Sequence, residues 1–121
     1  MRNLKSVLLK GWRIYDKDEF YKLIESAGYP VAYLQFPKRQ ETSFIVYGFP
    51  ENNDTYADNS RYFKIEVGWL ELYSFEPDFA AQAAIEQVFD TNKIPYGKEN
   101  EAYIDDERLF YCQWYFELIG G

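Results

Sequence analysis

The reading of this chain turns on Leu109-Phe110-Tyr111-Cys112-Gln113-Trp114-Tyr115-Phe116-Glu117-Leu118-Ile119. Phe110, Cys112, Trp114, Phe116 and Leu118 share one parity, and Tyr111, Gln113, Tyr115 and Glu117 share the other. Successive side chains of an extended strand point to opposite faces, so this alternation predicts a β-strand with one apolar face and one amphipathic face. The apolar face needs a cover from elsewhere in the chain.

Upstream, Tyr62–Phe75 also alternates. Phe63, Ile65, Val67 and Trp69 point one way, but Leu70 and Leu72 take the opposite parity. One extra residue flips all later side chains, so a β-bulge is predicted at Gly68. Val31–Phe36 and Ser43–Phe49 are shorter strand-like runs bounded by Pro30, Pro37 and Pro50. The polar Lys38-Arg39-Gln40-Glu41 between them reads as a hairpin loop. Val7–Tyr15 reads as a first strand interrupted by Gly11.

Two helices supply the cover. Over about 17–27, Phe20, Leu23, Ile24 and Ala27 recur at helical spacing. Asp16 and Glu19 have capping-box spacing, and Gly28 with Pro30 ends the helix. Over about 77–90, Pro77 suits the first helical position and Asp78 favours the helix dipole. Ala80-Ala81 and Ala83-Ala84 keep that helix thin, and Ile85, Val88 and Phe89 anchor it. The predicted order is β-α-β-β-β-α-β. This is an α+β fold, with a mostly antiparallel sheet of about five strands and two helices on one face. No repeat or linker interrupts residues 1–121, which read as a single domain; the polar Glu51–Ser60 reads as a long loop within it.

Composition limits the chemistry. The chain has 121 residues, 20 acidic and 13 basic, for a net charge of −7; it has no His and one Cys, and 21% of it is aromatic. Without His there is no Ser-His or Cys-His dyad. One Cys excludes an internal disulfide and a Cys-rich zinc site. The acidity argues against nucleic-acid binding, which needs basic surface. The charge is also asymmetric: residues 1–60 hold eight acids and eight bases, so residues 61–121 carry the whole −7. Val7-Leu8-Leu9 is too short for a secretory leader, and no apolar run is long enough for a membrane span. A cytoplasmic protein that does not engage membranes is expected.

Each candidate site meets a plainer reading. Cys112, on the apolar face, has no thiolate-promoting neighbour in the sequence and reads as structural. Asn52, Asp54 and Asp58 alternate like calcium ligands, but the turn Gly and terminal Glu of an EF-hand are missing, so the loop reads as a plain turn. Glu99, Glu101, Asp105, Asp106 and Glu107 supply carboxylates without a motif that fixes their separation. The terminal Gly120-Gly121 matches a ubiquitin-like ending, but it follows directly on a strand. No catalytic, cofactor or metal site is assigned.

A partner-binding surface is the remaining candidate, set against a helix or loop of the fold that covers the same strand face. Tyr111, Gln113, Tyr115 and Glu117 form the amphipathic face of the last strand, with Tyr103 and the acidic Asp105, Asp106 and Glu107 just before it. Tyr is enriched in interface cores, and acidic patches steer association with basic partners. Tyr96, Tyr73 and Tyr62 are possible extensions of that face.

Ile14, Asp16, Glu19-Phe20-Tyr21, Leu23-Ile24, Ala27 and Pro30 are arranged in a way that resembles the opening of barstar-type nuclease inhibitors. The likeness covers about a sixth of the chain. The sequence then departs, with no Tyr-Gly-x-Asn segment before an acidic, Trp-bearing helix, so no binding residue is carried over. In size, acidity and aromatic content the chain is similar to the immunity proteins of bacterial contact-dependent inhibition and other polymorphic toxins. That resemblance implies a non-enzymatic cytoplasmic antitoxin, monomeric or weakly dimeric, that blocks one cognate basic toxin, often a nuclease. Two alternatives stand beside it: an anti-defence protein of a phage or mobile element that mimics nucleic acid, and a small hydrolase using carboxylates alone.

Overall fold

The computed structural model describes residues 16–36, 40–52, 55–57 and 61–120, with the backbone alone for 50–52, 55–57, 61–64, 119 and 120. The strand expected over Val7–Tyr15 lies outside the described residues. In chain order the elements are α1 (Lys17–Glu25), β1 (Val31–Tyr33), β2 (Phe44–Asn52), β3 (Thr55–Ala57), β4 (Arg61–Ser74), α2 (Phe79–Thr91), β5 (Tyr96–Ile104) and β6 (Leu109–Gly120). The class is α+β, as the sequence predicts.

The main sheet runs β1-β2-β4-β6-β5, with the short β3 paired to β4 beside that path. All pairings are antiparallel except β1 with β2, which is parallel with Val31 opposite Ile45. The hairpin expected at Lys38–Glu41 is therefore corrected. The chain returns to the same end of the sheet before β2 begins, and residues 37–39 of that return lie outside the described ones.

Both helices close on one face. Phe20 and Ile24 of α1 and Ala81, Ile85 and Phe89 of α2 share a core with Ile45, Tyr47, Leu70, Leu72, Cys112, Trp114, Phe116 and Leu118. The spacing explains this: Ala81, Ile85 and Phe89 lie one helical turn apart each. Of the paired alanines, only Ala81 is fully buried. Phe20 stacks on Phe116 with centroids 4.6 Å apart, and Phe89 lies 5.6 Å from the same ring. The Trp114 indole N–H donates to Glu86 Oε2 at 2.8 Å, so the largest buried ring has a partner for its one polar atom.

The caps follow the sequence closely. Asp16 and Glu19 form the reciprocal capping box of α1, and Gly28 takes φ 96, where a side chain would be strained. Asp78 caps α2 from outside it, accepting from the Ala81 N–H at 3.0 Å, so Pro77 precedes the helix instead of opening it. The second Asp78 oxygen accepts from Ser43 Oγ at 2.7 Å and fixes α2 to the start of β2.

The bulge is also corrected. β4 runs in unbroken register against β6 from Lys64↔Gly120 to Ser74↔Phe110, straight through Gly68. The irregularity is on β2, between Gly48 and Glu51, whose partners are Trp69 and Val67. The parity change along β4 has another cause. Ile65 is buried on the face away from the helices, and Leu70 and Leu72 are buried on the face toward them.

Candidate functional site

The face opposite the helices carries Phe44 and Val46 from β2, Trp69, Glu71 and Tyr73 from β4, and Tyr111, Gln113 and Tyr115 from β6. Register sets its central feature. Glu71 stands directly across from Gln113, and Tyr73 from Tyr111. Cross-strand partners lie about 5 Å apart, within side-chain reach. Glu71 Oε1 accepts from the Tyr73 hydroxyl at 3.0 Å, and Oε2 accepts from the Tyr111 hydroxyl and the Gln113 amide, both at 3.2 Å. Two phenols and an amide from two strands thus hold one carboxylate.

This arrangement acts back on the phenols. Burial, and then the Glu71 charge, push the Tyr73 hydroxyl well above its usual range and that of Tyr111 up to about 12. Ionising either one would place a second negative charge beside a carboxylate on a partly dry surface. Both stay protonated at neutral pH and act as donors.

Beside Glu71 lies a groove of about 880 Å³. Its floor is Phe44, Val46, Glu71 and Tyr73. Leu34, Gln35 and Phe36 form one wall, with Gln40 beyond them, and the turn Asp106–Leu109 forms the other. Phe75 also lines the groove. The rings are continuous: Phe36 meets Phe44 edge-on at 5.4 Å, Phe44 stacks on Tyr73 at 5.2 Å, and Tyr73 meets Tyr111 at 5.4 Å. The groove's charge is asymmetric too. Among the described lining residues, Glu71, Asp106 and Glu107 face a single base, Arg108.

Two backbone features shape the walls. Leu34 sits at φ 67 with its N–H on the Tyr47 carbonyl at 2.8 Å, and its side chain is 55% exposed at the groove mouth. A leucine is rarely held in the left-handed region, and such positions concentrate at functional sites. Arg108 is also left-handed, at φ 56, and closes the turn with its N–H on the Asp105 carbonyl. That turn holds Asp106 and Glu107 exposed at the groove's edge.

The residues singled out in the sequence divide between two faces. Tyr111 and Gln113 converge on Glu71, and Asp106 and Glu107 border the groove. Asp105 lies in the same turn, exposed. Tyr115 is exposed on this face, its ring over Gly97 of β5. Glu117 belongs to the same row, its N–H bonded to the Pro95 carbonyl at 3.0 Å. Tyr103 does not join them. It pairs with Phe110, ring to ring at 4.9 Å, on the face that carries the helices. Tyr96 also turns that way and stacks on Phe89 at 5.0 Å. Tyr73 does extend the outer row; the Tyr62 side chain lies outside what is described.

Sequence reasoning missed Glu71 and the groove. The available signal was Glu71 itself, a charged residue sharing parity with Trp69 and Tyr73 inside an aromatic strand. Finding it required knowing that β4 and β6 are neighbours.

Cys112 is buried on the helix side, where desolvation raises its thiol to about 11. Of the three residues with calcium-like spacing, Asp54 and Asp58 lie outside the described residues. Gly120 pairs with Lys64 at the end of β6. Among the described residues, no helix is long and apolar enough to cross a membrane. The sequence matches no protein-family model and no curated protein.

Proposed function

We propose that this chain is a cytoplasmic binding protein that neutralises a cognate toxin with a basic surface, most simply a nuclease domain, by covering its active site. One observation carries the reading: an acidic turn and a carboxylate held by two phenols and an amide flank an aromatic groove on the face away from the helices. A nuclease binds phosphates through a cationic groove, and carboxylates presented on a firm surface can take the phosphates' place. Aromatic anchors supply buried contact area, while exposed acids speed the encounter. The protein acts by occupancy and needs no chemistry of its own.

A nucleic-acid mimic would carry carboxylates at regular spacing over a surface. Here rings lie between the acids, which favours a compact patch for a protein partner. The test is affinity capture from the native host at low salt, followed by an activity assay. Recovery of one basic toxin domain, inactivated by an equimolar amount of the purified chain, is the expected result. A recovered domain that stays active in the complex, or recovery of a DNA-binding defence protein in its place, overturns the proposal.

A further inference from the structure

We infer that the groove beside Glu71 is a subsite for an arginine side chain of the partner. This deepens the reading above and rests on it. Glu71, Asp106 and Glu107 are acceptors, and they outnumber Arg108, the one base among the described lining residues. The Tyr73 hydroxyl spends its proton on Glu71, so only its oxygen lone pairs remain for a visitor. A visitor rich in donors and without acceptors complements that lining, and the guanidinium, with five N–H donors and none to accept, is the fullest case among side chains.

The rings select further. Phe44 and Tyr73 stack face on face with only 13° between their planes, so the carboxylate lies beside a rigid aromatic pair. A guanidinium is planar and weakly hydrated, so its fork can enter an aromatic-lined groove and meet a carboxylate with two N–H groups; an ammonium is compact and holds its water more strongly. Glu71 keeps acceptor capacity for this contact. Oε1 accepts from Tyr73 alone among the described bonds, whereas Oε2 already accepts from Tyr111 and Gln113. The acidic turn on the opposite wall faces the remaining N–H groups. The three bonds to Glu71 also fix the carboxylate in advance, so little ordering remains for binding to impose.

The test is an NMR titration of the labelled full chain at low salt with N-acetyl-arginine amide, its lysine counterpart, and the neutral isostere N-acetyl-citrulline amide. Arginine should shift the signals of Tyr73, Gln113 and the Asp106–Arg108 turn, and bind about tenfold more tightly than citrulline, a charge-assisted contact being worth about that factor. Lysine should fall between them. E71Q should lose about tenfold for arginine. The exposed pair D106N/E107Q, which leaves the three bonds to Glu71 untouched, should lose several-fold. Citrulline or lysine binding as well as arginine, shifts confined to another surface, or indifference to both variants overturns the subsite. If arginine fails while the chain still inactivates its toxin, the subsite falls and the function stands. If arginine binds but no toxin is inactivated, the function falls and the subsite stands.

Discussion

The Gln113 amide donates to Glu71 Oε2 at 3.2 Å from the directly opposed position on the neighbouring strand, so one carboxylate joins β4 and β6 on the face away from the core. The Tyr73 and Tyr111 hydroxyls complete the clasp. Removing one hydroxyl leaves two donors in place, so Y73F or Y111F should each cost about 1 kcal/mol, the net worth of a typical hydrogen bond. The double variant should differ from the sum of the two, because both bonds end on the same carboxylate. Urea unfolding of the two single variants and the double variant measures this coupling; strict additivity would mean that the clasp is only a set of separate contacts.

The same clasp gives stability an alkaline limit. Tyr111 ionises near 12 in the folded chain and near 10 when unfolded. Above pH 10 the unfolded state releases this proton first, so the contribution of Tyr111 is complete below about pH 10 and is lost as pH rises toward 12. Tyr73 shifts in the same direction. The stability gap between the native chain and Y111F should therefore narrow from pH 9 to pH 11.5. A gap that stays constant over that range would show that Tyr111 gains nothing from its setting.

What the sequence shows and what it hides have the same physical source. Elements with one clear apolar stripe, α1, α2 and β6, are legible because burial of that stripe dictates their period. β5 is not, because it is an edge strand whose middle is almost wholly exposed. Lys98, Glu99, Asn100 and Glu101 look like a loop. In the structure Lys98 and Glu101 pair at 2.9 Å across an irregularity at Glu99, a charged, uneven edge that discourages pairing with another chain. The parallel pairing of β1 with β2 was hidden too, since strand periodicity carries no information on direction. The groove depends on that arrangement and on the order of β2, β4 and β6, which only the assembled sheet provides.

Two glycines separate a rigid contact from a yielding one. A Cβ on Gly68 would press into the Phe116 ring and come within 2.8 Å of the Gly48 carbonyl oxygen, both deep in the sheet. The atoms nearest a Cβ on Gly97 all belong to the Tyr115 ring, which is 42% exposed and so has room to move aside. G68A should cost about 2–3 kcal/mol and G97A about 1 kcal/mol or less. Thermal unfolding ranks them; equal costs would mean that Tyr115 is held as firmly as Phe116.

Cys112 should be inert in the folded state. It is 2% exposed, and burial raises its thiol to about 11, so little thiolate is present and little of it can be reached. Labelling by a thiol reagent at pH 8 should be at least a hundredfold slower in buffer than in denaturant. Rapid native labelling would show that the strand opens locally.

The acidic turn and the clasped carboxylate should act on different steps of partner binding. Asp105, Asp106 and Glu107 are exposed, so their main effect is through long-range attraction during approach. Reversing all three to Lys should slow association about tenfold or more at low salt and flatten its salt dependence, with a smaller, several-fold rise in dissociation and little change in unfolding. Glu71 is half-buried in the groove floor and acts only once contact is made. E71Q should therefore leave the association rate near that of the native chain and speed dissociation. Stopped-flow association and surface-based dissociation with the captured partner separate the two effects. The assignment of steering to the turn and holding to Glu71 fails if the triple reversal leaves association unchanged, or if E71Q acts on association alone.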